Sequence, residues 1–144
     1  MEDHLGYWLR RVSNHVSGAF ATALEGEGVS VAEWVVLRLM HGEPPQAQRR
    51  LAEATGMTPG ALSKVLDKLE AKGWAIRATA GDDLRVQRCA LTRQGRARVP
   101  RLAHLADLNE AHCFDALSPR ERATLRAVLL KLVQVHGLQG PPLA

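Results

Sequence analysis

The stretch Thr58-Pro59-Gly60-Ala61-Leu62-Ser63-Lys64-Val65-Leu66-Asp67-Lys68 sets small and basic side chains at helical spacing. Thr58 reads as an N-cap and Pro59 as the first helical residue. Leu62, Val65, Leu66 and Leu69 fall at i, i+3, i+4 and i+7, which makes them the inward face. Pro59, Gly60, Ser63, Lys64 and Lys68 are left on the outer side of the first turns. Small residues there let a backbone approach the floor of a DNA major groove, and serine and lysine reach base edges or phosphates. Taken alone, the same face suits an ordinary solvated helix equally well.

A second group follows. Trp74–Ala78 and Val86–Leu91 alternate with period two and read as strands, with the polar loop 79–85 between them. The loop carries Asp82, Asp83 and Arg85. An arginine laid in a minor groove senses its narrow, negative shape. Asp83, two residues away, is placed to fix that guanidinium by a charge-assisted bond. The plainer reading is that both are turn residues. Arg77 and Arg88, on the strands, are candidates for backbone phosphates.

Charge is uneven along the 144 residues. Residues 1–46 hold three Lys/Arg against six Asp/Glu, residues 47–98 eleven against five, and residues 99–144 five against four, within a net charge of +4. A basic block in a near-neutral chain is the footprint of polyanion binding, although an unevenly charged soluble domain would look the same.

Other chemistry finds little support. The six histidines and two cysteines form no HExxH or CxxC spacing, so no metal or cofactor is expected. Cys89 reads as a small core residue, and Cys113 has no Lys or Arg close in sequence to activate it. No Gly-rich phosphate loop, Ser/His/Asp pattern or catalytic carboxylate pair is evident, which argues against an enzyme. Trp8, His15, Trp34 and Arg38 lie on the first two helices. They are candidates for the walls and anchor of a ligand pocket, an aromatic carboxylate being the natural fit, though packing or surface roles suit each of them.

These groups need a scaffold. Leu5–Leu24 carries apolar residues every three or four positions and reads as an amphipathic helix, stopped by Gly26 and Gly28. Ser30 and Glu33 form a capping box for a second helix, which Gly42, Pro44 and Pro45 end. Gln46–Ala54 reads as a short helix stopped by Gly56, and Gly73 stops the helix that begins at Pro59. Thr92 caps a long helix in which Pro100 introduces a kink or delays the start. Ser118-Pro119-x-Glu121 opens the last helix, and residues 137–144 read as a frayed tail. Aromatic residues make up only 4% of the chain, so the core is built of Leu, Val and Ala.

The order is helix, helix, helix–turn–helix, hairpin, two long helices. With it, the chain resembles the MarR family of bacterial regulators over about residues 5–136. The resemblance rests on LAEATGMTPGALSKVLDKLEAKGW (51–74) and GDDLRVQRCALTRQG (81–95). The second piece holds Asp83-Leu84-Arg85 as the Asp-x-Arg of the wing and Leu91-Thr92-Arg93-Gln94-Gly95 as the Leu-Thr-x-x-Gly that opens the next helix. The resemblance implies that Pro59–Lys72 is a recognition helix and that Arg85 enters the minor groove. It also implies that the first and last two helices form a dimer interface, and that the protein represses by occupying promoters until a small ligand releases it. The chain departs from the pattern in its acidic wing tip and in Gly60 near the start of the recognition helix.

The expected fold is mainly α with a small β-hairpin wing. A winged helix–turn–helix is expected over 29–92 and a helical dimerisation region over 1–28 and 93–136. Expected partners are duplex DNA with a pseudo-palindromic operator, a second copy of the chain and a small-molecule effector. No apolar run is long enough to span a bilayer and the N-terminus lacks signal-peptide order, so a cytoplasmic location is expected. The competing reading is a winged-helix module for protein–protein contact.

Overall fold

A computed structural model describes residues 1–79 and 87–143. The order is α1 (Leu5–Glu25), α2 (Val31–Met40), β1 (Gln46–Ala47), α3 (Gln48–Thr55), α4 (Pro59–Ala71), β2 (Ala75–Thr79), β3 (Gln87–Leu91), α5 (Arg93–Phe114) and α6 (Pro119–Val135). The fold is the mainly helical, winged arrangement that the sequence predicts. Asp82, Asp83 and Arg85, with the rest of loop 80–86, lie outside the described residues.

Local chemistry places most helix starts. The Ser30 hydroxyl accepts from the Glu33 amide at 3.1 Å, and the Glu33 carboxylate accepts from the Ser30 amide at 3.2 Å. Ser118 and Glu121 repeat this box at α6. Thr58 accepts from the Ala61 amide at 3.1 Å, with Pro59 in the first turn of α4. Each cap satisfies an amide that the helix itself leaves without a partner. Pro100 sits inside α5, which nevertheless starts directly after its Thr92 cap, so the start is not delayed.

One short element escapes the sequence pattern. Gln46–Ala47 is a strand rather than the first turn of α3, and it pairs antiparallel with Arg88 and Cys89. Pro44 and Pro45 hold the preceding chain extended, which favours strand entry over helix. The sheet order is β1-β3-β2, all antiparallel, with Arg77 and Gln46 flanking Cys89 in register.

A single buried cluster joins these elements. Leu62, Leu66 and Leu69 of α4 are fully buried with Leu24 of α1, Leu37 of α2 and Leu102 of α5. Val65, expected on the same face, is only partly buried. At the other extreme, none of the 17 residues of α6 is buried. Leu125, Val128, Leu129, Leu132 and Val133 are among its exposed apolar side chains. Among the described residues, no helix is long and apolar enough to cross a membrane.

Candidate nucleic-acid interface

The turn between α3 and α4 is built around a buried threonine. Thr55 is 1% exposed. Its hydroxyl lies 3.0 Å from the carbonyls of Leu51 and Ala52, and it accepts from the Met57 amide at 3.2 Å. Gly56 follows with φ of 74°, a left-handed conformation that a side chain resists. Together they turn the chain into Thr58 and fix the angle between the two helices. Thr55 carries no sequence signal of this role, because an interior threonine looks the same whether buried or exposed.

Thr58, Pro59, Gly60, Lys64 and Lys68 are exposed on one side of α4, with Ser63 half-buried beside them. A Cβ added at Gly60 would meet nothing within 4 Å, so no contact inside the chain demands glycine there. Thr58, Gly60, Ser63, Lys64 and Lys68 thus share one accessible surface, and the 13-residue helix points its amino end into it. Partial positive charge at that end favours anions.

The basic block divides into two groups. Lys72 bonds to the buried Glu33 and to the Gly28 carbonyl, and it lies 5.0 Å from the Trp74 ring centroid. Arg77 donates to Glu70 at 2.5 Å, pairs with Asp67, and reaches Ser63 Oγ at 3.3 Å. Arg98 packs over the Trp74 ring and lies 3.9 Å from Glu27, while Arg96 donates to the Leu91 carbonyl. These four cations hold elements together. Arg49, Arg50, Lys64, Lys68, Arg88 and Arg93 are exposed, and none of them pairs with a described carboxylate. Arg49 and Arg50, at the start of α3, are cations that the sequence pattern did not single out. Arg77, expected to face phosphate, points instead at α4. The reason is that Asp67 and Glu70, one turn apart on α4, meet β2 at that residue.

The hairpin is joined to α5 by one compact contact. The Thr92 amide donates to the Trp74 carbonyl at 3.0 Å, and the Thr92 hydroxyl donates to the Gly73 carbonyl at 2.6 Å while accepting from the Gly95 amide at 3.0 Å. A Cβ at Gly95 would lie 2.0 Å from the Trp74 carbonyl oxygen. The Leu-Thr-x-x-Gly sequence is therefore a cap followed by a close backbone approach. Cys89 lies inside the sheet, 1% exposed. Burial pushes its thiol up, a shift that Arg77 opposes and Glu70 reinforces.

Trp34 and Arg38 of α2 line a cavity of about 440 Å³ against α5, with His41, Pro100, Asp107 and Glu110. Trp8 and His15 are not part of it. Trp8 donates to the Glu2 carbonyl at 2.6 Å near the start of α1 and stacks edge-on with Tyr7, and His15 is exposed further along that helix. Among the described residues, no group of three or more His, Cys, Asp or Glu is placed to hold a metal ion.

Residues 27–85 match the sequence model of the MarR family. This segment is a MarR family domain. The whole fold is similar to solved MarR structures. A probable transcriptional regulator from Pseudomonas aeruginosa is 27% identical, with a TM-score of 0.78 over 91% of this chain and 98% of its own. The MarR family protein Rv2887 of Mycobacterium tuberculosis, solved in complex with DNA, is 29% identical, with a TM-score of 0.73 over 90% of this chain and 97% of its own. CouR from Rhodococcus jostii RHA1, solved with p-coumaroyl-CoA, is 26% identical, with a TM-score of 0.74 over 91% and 92%. In the MarR segment of this chain, α3 and α4 are the helix–turn–helix and β2–β3 the strands of the wing.

Proposed function

We propose that the chain is a homodimeric, ligand-responsive transcriptional regulator that binds duplex DNA through α4 and the wing. The carrying observation is the accessible face of α4, where Lys64 and Lys68 flank a small-residue amino end and no described carboxylate pairs with either lysine. In this reading Thr58, Pro59, Gly60 and Ser63 enter the major groove. Lys64, Lys68, Arg88 and the α3 pair Arg49 and Arg50 neutralise phosphates. Asp83 and Arg85 of the wing reach the minor groove.

The second copy is argued from α6. A helix of this length with no buried residue is marginal in water, and its apolar side chains need cover. Residues 1–28 and 93–136 form the dimerisation region, and 29–92 the DNA-binding region. Twofold symmetry then calls for a pseudo-palindromic operator with half-sites about one helical turn apart.

The cavity between α2 and α5 is the effector site. Trp34 supplies an aromatic wall and Arg38 a cation, a pair suited to an aromatic carboxylate. A ligand there sits between the α2 that packs on α4 and the α5 that continues from the wing, so it can change the spacing of the two recognition helices. Repression by promoter occupancy, relieved by ligand, is the corresponding mode of action.

Selection from a randomised duplex pool, followed by titration with benzoate-type ligands, tests this. Recovery of a pseudo-palindrome, and its release by an aromatic acid at concentrations that Arg38→Ala raises, is the expected result. No enrichment of any duplex would overturn the DNA reading and favour a protein-contact module.

A further inference from the structure

Arg77 is set where it acts on the reading face without facing DNA. It reaches from β2 onto the flank of α4, with its side chain 16% exposed. Nε donates to Glu70 Oε1 at 2.5 Å, Nη2 pairs with Asp67, and Nη1 donates to Ser63 Oγ at 3.3 Å. Glu70 and Asp67 hold the guanidinium charged beyond its ordinary range. A guanidinium has donors only, so on that side the Ser63 oxygen is an acceptor. Among the described residues, no acceptor takes the Ser63 hydroxyl proton. That proton is left for whatever approaches the half-exposed face of α4.

We infer that Arg77 is a positioning residue that presents the Ser63 hydroxyl as a hydrogen-bond donor, making Ser63 a specificity-determining contact with a base acceptor. The inference rests on the DNA-binding reading and adds a base rule to it. In the major groove guanine offers N7 and O6, adenine N7 and thymine O4, whereas cytosine offers only its N4 donor. A serine held as donor accepts the first three bases and rejects cytosine at the base it faces. Asp67 and Glu70 already neutralise Arg77, so Arg77 adds nothing to the phosphate contacts. The ion pairs also cover two carboxylates that would otherwise repel the DNA backbone next to Lys64.

The test is competitive binding of wild type, Ser63→Ala, Arg77→Gln and Lys64→Gln to single-base variants of the selected site, repeated over a salt series. Wild type is expected to reject cytosine at one position of each half-site by about tenfold, the order of one mismatched base pair. Ser63→Ala and Arg77→Gln are both expected to flatten the preference at that same position. Arg77→Gln should leave the slope of log K against log salt unchanged, while Lys64→Gln lowers it by about 0.9. A purely structural role for Arg77 would weaken all sequences alike. A phosphate role would lower the salt slope and leave the base preference intact. Either outcome overturns the inference, as does an unchanged preference in Ser63→Ala, a variant on a partly exposed helix face that keeps the fold even if Arg77→Gln does not. Absence of wild-type binding to any duplex would instead bring down the DNA reading itself.

Discussion

At the scale of single residues, two glycines separate function from folding. Gly60 lies in the first turn of α4 with open space around its missing Cβ. Alanine is the better helix residue, so Gly60→Ala is expected to stabilise the free protein by up to about 1 kcal/mol. It is also expected to weaken DNA binding, because the added methyl sits where the backbone meets the groove. Thermal unfolding and a binding titration on the same sample check both signs. Gly95 is the opposite case. Its added Cβ would collide with the backbone of Trp74, which cannot swing away as a side-chain tip can. Gly95→Ala is expected to cost about 1–3 kcal/mol, the range of overpacked sites, measured by denaturant unfolding. Cys89 adds a pH term of known sign. Its folded thiol titrates above the ordinary value, so its stability contribution is complete below about pH 8.5 and is lost as pH rises through the folded value.

At the scale of elements, α6 stands apart. None of its residues is buried, yet Leu125, Leu129 and Val133 line a groove of about 620 Å³ with Phe114 and Leu117. If a second copy fills that surface, Leu129→Asp should give a monomer with less helix by circular dichroism and a lower midpoint of unfolding. Wild type should sediment as a dimer, with a midpoint that rises with protein concentration. A wild-type monomer with intact α6 would contradict this. The elements also show what the sequence could and could not disclose. The caps Ser30, Thr58, Thr92 and Ser118 were legible because their partners lie three residues away. The strand Gln46–Ala47 was not, because two residues have no periodicity and the partners lie some forty positions later. Arg77 looked like any strand arginine until the fold brought Asp67 and Glu70 beside it. Trp34 and Arg38 were legible as neighbours on one helix, whereas Trp8 and His15 could be sorted from them only by seeing where α1 runs.

At the scale of the whole molecule, the account joins a small basic reading head to apolar helices that need a partner copy. The exposed cations Arg49, Arg50, Lys64, Lys68 and Arg88 lie in the MarR segment or on its strand β3, and a dimer doubles each of them. Phosphate neutralisation should therefore dominate affinity, and salt should report it. The measurement that tests this most directly is the affinity of wild type for the duplex upstream of its own gene, across a salt series. The expected result is tight binding that falls steeply, with a slope of about −0.9 for each phosphate contact, and that becomes shallower in Lys64→Gln by about twice that unit because both copies lose the contact. Binding that ignores salt, or no binding to that duplex or to any in a randomised pool, would contradict the central claim.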